Sequence, residues 1–122
     1  MSVAVVHADS EEGRVALRAA AREAADLRTS LIVLHPLDDP ADAGVVTAAV
    51  RDILGEGDWE VLADVHDGDP VGSLVALLER SGASRLVAGS RGRTATGKFL
   101  LERGLQRLIV ESPVPVLVVK ES

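Results

Sequence analysis

The chain has no cysteine. Disulfides, thiolate zinc sites and a cysteine nucleophile are therefore excluded. Aromatic residues are reduced to Trp59 and Phe99, so the core must be assembled from Val, Leu, Ile and Ala. An aliphatic core suits a parallel sheet covered by alanine-rich helices. Long apolar runs are missing too; none approaches the roughly 20 residues that a membrane-spanning helix needs. No basic stretch precedes the VAVV run near the N-terminus, so no signal peptide is visible. Positive charge is in deficit, with 13 Lys and Arg against 19 Asp and Glu and a net charge of −6. That balance argues against nucleic acid or an anionic membrane as partner. The expectation is a soluble, cytoplasmic protein of one domain, residues 1–122, long enough to bury a core.

What is present is a regular alternation. Residues 3–8, VAVVHA, read as a buried strand. Asp9 and Glu12 are placed to cap a helix over residues 11–27. SLIVLHP, residues 30–36, reads as a second strand stopped by Pro36. Asp39 and Pro40 start a second helix that ends near Gly55. WEVLADVH, residues 59–66, alternates in part, as an edge strand with one wetter face does. Asp69 and Pro70 repeat the cap-plus-proline start for a third helix, ended by Gly82. RLVAG, residues 85–89, is strand four; residues 99–112 contain helix four; VPVLVV, residues 114–119, is strand five. This βαβαβαβαβ order predicts an α/β fold with a mostly parallel sheet and helices on both faces. Ligands in such folds sit beyond the C-terminal strand ends, where strand order reverses.

The loop after strand four, GSRGRTATGK at residues 89–98, has the spacing of a phosphate-binding loop: Gly92, four residues, Gly97 and Lys98. Phe99 then stands where a magnesium-binding hydroxyl is needed, and strand five supplies no acid for a second magnesium partner. The turn after strand one, HADSEEG, lacks the glycines of a dinucleotide fingerprint. Neither phosphate motif is complete. No nucleophile, base and orienting group stand together, so no catalytic residue is assigned.

Four features carry a family resemblance. They are the strand-one turn ending in Ser10, the tripeptide Gly68-Asp69-Pro70 before helix three, GSRGR after strand four, and the tail SPVPVLVVK. With these the chain resembles the universal stress proteins, the UspA-like group, over nearly its whole length. The resemblance implies a Rossmann-like fold of the adenine nucleotide alpha hydrolase type, with a five-stranded parallel sheet in the order 3-2-1-4-5. It also implies a homodimer made through strand five, here Val114, Val116, Leu117, Val118 and Val119, whose apolar edge otherwise invites aggregation. Many members of the group bind ATP through G-x2-G-x9-G-[ST] and an Asp ending strand one. Gly89 and Gly92 match the first two glycines. The third falls on Glu102, the Ser/Thr on Arg103, and Ala8 takes the place of the Asp, flanked by His7 and Asp9.

These departures pull in opposite directions. A carboxylate at position 102 repels a phosphate: two unit charges ~4 Å apart cost about 4 kcal/mol at an effective dielectric near 20, roughly a thousandfold in affinity. Arg91, Arg93, Lys98 and Arg103 could restore an anion site through side chains, or pair with Glu102 and Glu111. The candidate nucleotide-binding set is accordingly His7, Ser10, Gly89, Arg91, Gly92, Arg93, Lys98 and Arg103. The cofactor expectation is none, or weak ATP or AMP, with magnesium only if ATP binds. His7, His35 and His66 close strands one to three. They are open to a metal, to stacking on a base, to pH sensing or to ordinary partial burial, and no metal is assigned. Two functions remain open. One is a nucleotide-independent dimeric module acting on an unidentified protein partner. The other is an ATP- or AMP-binding sensor, with or without slow ATP hydrolysis.

Overall fold

The computed structural model describes residues 1–91 and 102–120. The runs that are apolar in sequence form the middle of one sheet. Strands β1 (Ser2–Val6), β2 (Ser30–Leu37), β3 (Trp59–Val65), β4 (Arg85–Ser90) and β5 (Val116–Lys120) pair in the order β3-β2-β1-β4-β5, every neighbour parallel. Helices α1 (Glu11–Asp26), α2 (Ala43–Leu54), α3 (Pro70–Ser81) and α4 (Arg103–Glu111) connect them. This is the Rossmann-like order that the resemblance implies.

Alternation along the strands divides the core in two. Val3, Val5, Leu31, Val33 and Val87 face α1 and α2. Ala4, Ile32, Leu34, Leu86 and Ala88 face α3 and α4. Both faces are covered, which is why β1, β2 and β4 read as unbroken apolar runs. β3 lies at one edge of the sheet, as its partial alternation predicts, and β5 lies at the other. Among the described residues no helix is long and apolar enough to cross a membrane.

Several boundaries differ from the sequence reading. The α1 cap is Ser10, not Asp9: the Ser10 hydroxyl accepts the Gly13 N–H at 3.1 Å, while Asp9 pairs with Arg14. Glu12 therefore falls at the second helical position, where no capping box forms. Asp39 caps a single 3-10 turn, Pro40–Asp42, before α2 proper. Pro36 does not stop β2. The Leu34 carbonyl accepts from the His7 N–H, so the backbone two residues on faces the same side, where β1 has already ended at Val6. A missing N–H costs nothing there. His7 and Ala8 lie beyond β1, and Glu102 stands at the α4 cap position rather than inside its first turn.

Two glycines let α1 approach the sheet. A Cβ on Gly89 would lie 2.2 Å from the Glu12 carbonyl oxygen, and one on Gly13 would lie 2.2 Å from that of Ala8. Gly89→Ala is therefore expected to destabilise the fold by about 1–3 kcal/mol through overpacking against backbone. Gly44→Ala, with nothing within 4 Å of the new methyl, is expected to gain about 0.5 kcal/mol from helix propensity. Urea denaturation of both variants checks this; a Gly89→Ala protein as stable as the parent contradicts the close approach.

Candidate functional site

The chain leaves β1 toward β2 and leaves β4 toward β5, in opposite directions across the sheet. Their adjacent C-terminal ends therefore open a crevice at the point where strand order reverses. A cavity of about 290 Å³ lies there, walled by Val6, Val71, Leu74, Ala88, Leu105 and Leu108, with Glu12, Arg91 and Glu102 as its charged lining. An apolar pocket with a few convergent polar groups is the usual form of a small-molecule site.

Glu102 organises the polar end. One carboxylate oxygen accepts the Arg91 backbone N–H at 3.1 Å, and the other accepts the hydroxyl of fully buried Ser90 at 3.2 Å. The Arg91 guanidinium lies 3.6 Å away. The Glu102 side chain makes no capping bond to α4; it reaches back to the end of β4. Burial pushes its carboxyl up, but the bonds from its own N–H, from Arg91 and from Ser90, together with the Arg91 charge, outweigh that and hold it below the ordinary glutamate value. The carboxylate thus sits where an N–H and a hydroxyl converge beside a helix start, a setting that also suits a phosphate.

The other candidate residues divide. Gly89, next to last in β4, lies in the cavity wall, and its missing side chain is already used by α1 packing. Arg91 lines the cavity but is engaged by Glu102. Arg103 is exposed at the first position of α4. Ser10 caps α1 through its hydroxyl. Gly92, Arg93 and Lys98 lie outside the described residues, as do Gly97 and Phe99 of the glycine-lysine run.

His7 and His35 are brought together. Their Nδ1 atoms are 3.4 Å apart and their rings meet edge to face, with centroids 5.0 Å apart. Burial, and then the neighbouring His35, push His7 below its ordinary value, against an opposing pull from Asp9. His66 is drawn away from them, bonding Asp38 at 2.6 Å and receiving the Gly68 N–H at 3.0 Å. The three imidazoles do not converge, and among the described residues no group of three His, Asp or Glu is arranged to hold a metal ion.

The Gly68-Asp69-Pro70 tripeptide starts α3 as the sequence predicts, and it has a second structural role that sequence reasoning missed. Gly68 takes φ 109°, open to glycine at little cost. Asp69 accepts the Gly72 N–H at 3.1 Å as the α3 cap and receives both terminal nitrogens of Arg107 at 2.6 and 2.7 Å. The Arg107 bond, and then the Gly72 bond, lower the Asp69 carboxyl to about 2. This fork ties α3 to α4, the two helices that wall the cavity. Nothing in one sequence pairs residues 69 and 107; only the cap itself was legible.

β5 starts at Val116 rather than at residue 114; Val116 and Val118, with Val114 just before the strand, pack toward α3 and α4, and Val119 toward the opposite face. Leu117 is 49% exposed. Among the described residues the outer edge of the strand carries no neighbour in the sheet.

Comparison with known proteins places this geometry among relatives. Residues 50–120 match the sequence pattern of the Universal stress protein family. A universal stress protein of Mycolicibacterium smegmatis is 32% identical over 120 residues, covering 88% of each chain. Stress response protein NhaX of Bacillus subtilis is 32% identical over 75 residues, which are 62% of this chain and 45% of that protein; the match therefore spans less than half of NhaX. The crystal structure of a universal stress protein in complex with cAMP superimposes with a TM-score of 0.77 at 28% identity, covering 99% of this chain and 98% of the other.

Proposed function

The chain belongs to the universal stress protein family, and from that premise we propose a cytoplasmic, homodimeric regulatory module whose nucleotide crevice is retained but whose phosphate seat is filled from within. ATP then binds weakly or not at all, magnesium enters only with ATP, and the output is a contact with a protein partner. The observation that carries this reading is the Glu102 carboxylate, held by the Ser90 hydroxyl and the Arg91 N–H at the start of α4. A phosphate arriving there meets a negative charge and finds those donors engaged. The relative that holds cAMP at 28% identity favours a second reading, an ATP- or AMP-binding sensor using the same crevice.

The two readings separate on ATP titration calorimetry with the parent and with Glu102→Gly combined with Arg103→Ser. The first reading expects little or no heat from the parent and an affinity gain of roughly tenfold to a thousandfold in the double variant, the span reflecting how far Arg91 and solvent screen the charge. Tight ATP binding by the parent, or a double variant that gains nothing, rejects the filled seat.

The dimer rests on the edge position of β5. The Pro115 carbonyl accepts from the Leu86 N–H, so odd-numbered residues of this segment face β4. Even-numbered ones, Val116 and Val118, turn their backbone groups to the open edge. Pairing with a second copy across a two-fold axis satisfies them. Val118→Pro removes one outward N–H and spares the β4 ladder. Sedimentation analysis is expected to give a dimer for the parent and a folded monomer for Val118→Pro; a monomeric parent rejects the assembly.

A further inference from the structure

The same carboxylate that excludes phosphate also selects what can replace it. A carboxylate accepts hydrogen bonds and donates none. Among the described residues, one Glu102 oxygen takes the Arg91 N–H and lies near its guanidinium, while the other takes the Ser90 hydroxyl. With the bond from its own N–H, three of the roughly four acceptor positions of the carboxylate are taken, and one remains for a hydroxyl donor. Among the described residues, the charged lining of the cavity is two acids, Glu12 and Glu102, against one base, Arg91. Of these, Arg91 already leans on Glu102. The remaining wall, from Val71 and Leu74 of α3 to Leu105 and Leu108 of α4, is aliphatic and suits the uncharged faces of a base and a sugar. A volume of about 290 Å³ stands at the small end of ligand pockets, typically about 300–1,000 Å³.

Resting on the crevice reading above, we infer that this site selects an uncharged nucleoside over the corresponding nucleotide, with Glu102 receiving a ribose hydroxyl at the start of α4. The discrimination is by charge at one end of the ligand. It therefore strengthens with each negative charge that the ligand carries there, and weakens when Glu102 is neutralised. It also weakens in salt, because Glu102 is partly open to solvent and the repulsion is screened.

The test is calorimetric titration of the full chain with adenosine, cAMP, AMP and ATP, at low and at high salt. Affinity is expected to fall in that order, with adenosine roughly tenfold or more tighter than AMP, and the gap is expected to narrow as salt rises. Glu102→Gln, which keeps the size and an acceptor oxygen, is expected to raise AMP affinity by a similar factor, with its fold checked by circular dichroism. Should that variant fail to fold, the salt series on the parent decides alone. AMP or ATP binding as tightly as adenosine overturns the nucleoside preference and leaves the crevice standing as a nucleotide site. Binding of none of the four, by parent and by variant, overturns both the preference and the crevice reading. A gap between adenosine and AMP that salt does not change also rejects the inference, because steric exclusion rather than charge would then be at work.

Discussion

The hydrogen bonds from Ser90 and Arg91 to the Glu102 carboxylate are the constraint on which the site depends. They join the last residue of β4 and the one after it to the residue that caps α4, so the strand end and the helix start are held together by a side chain. A backbone N–H at a strand end and a buried hydroxyl are donors that the fold has to satisfy. Water, an anion or a protein acceptor can do so. Here the protein supplies the acceptor, and it is charged. The same contact that secures α4 therefore places a negative charge at the crevice mouth.

The surrounding elements make that choice rigid. α1 is pressed against β4 through Gly89 and against the β1 turn through Gly13, which sets one wall. α3 and α4 are clamped by the forked Asp69–Arg107 pair, which sets the other, and Arg107 extends the tie to Glu111 at 2.5 Å. Exposed ion pairs contribute little stability singly. A two-pronged guanidinium–carboxylate contact nevertheless fixes orientation better than a point charge, and orientation is what a cavity wall requires. Family membership explains the frame; the residues at positions 8, 102 and 103 explain why this member is expected to treat phosphate differently.

Much of the fold was legible because its signals are local. Apolar runs of strand length, caps at Asp39 and Asp69 and the glycine at residue 82 mark the elements, and their alternation leads to a parallel sheet. The errors were local as well. Ser10 and Asp9 are both good caps, and only the geometry of the turn decides between them. Pro36 looks like a terminator unless the early end of β1 is known. The site was legible only in part. The alignment of Glu102 with a glycine flagged the residue, and charge arithmetic gave its effect on phosphate. Its engagement by Ser90 and Arg91 crosses a ten-residue gap in sequence, and the Asp69–Arg107 and His66–Asp38 contacts have no sequence periodicity at all. The histidines illustrate the limit: three strand ends put them on one side of the sheet, but the partners, His35 for His7 and Asp38 for His66, are chosen by tertiary packing.

The account is tested most directly by following the Arg91 backbone amide by nuclear magnetic resonance as pH is lowered. If that N–H is bound by an ionised Glu102, its resonance shifts as the carboxyl takes up a proton, with a midpoint below the ordinary glutamate value. The sign is fixed by linkage. A carboxyl whose folded value is depressed contributes stability above the unfolded value and loses it as pH falls through the folded one. A single transition at Arg91 below the usual glutamate range, abolished by Glu102→Gln, is the predicted result. An Arg91 amide that ignores the titration, or one that follows a group titrating above that range, would contradict the carboxylate-filled seat.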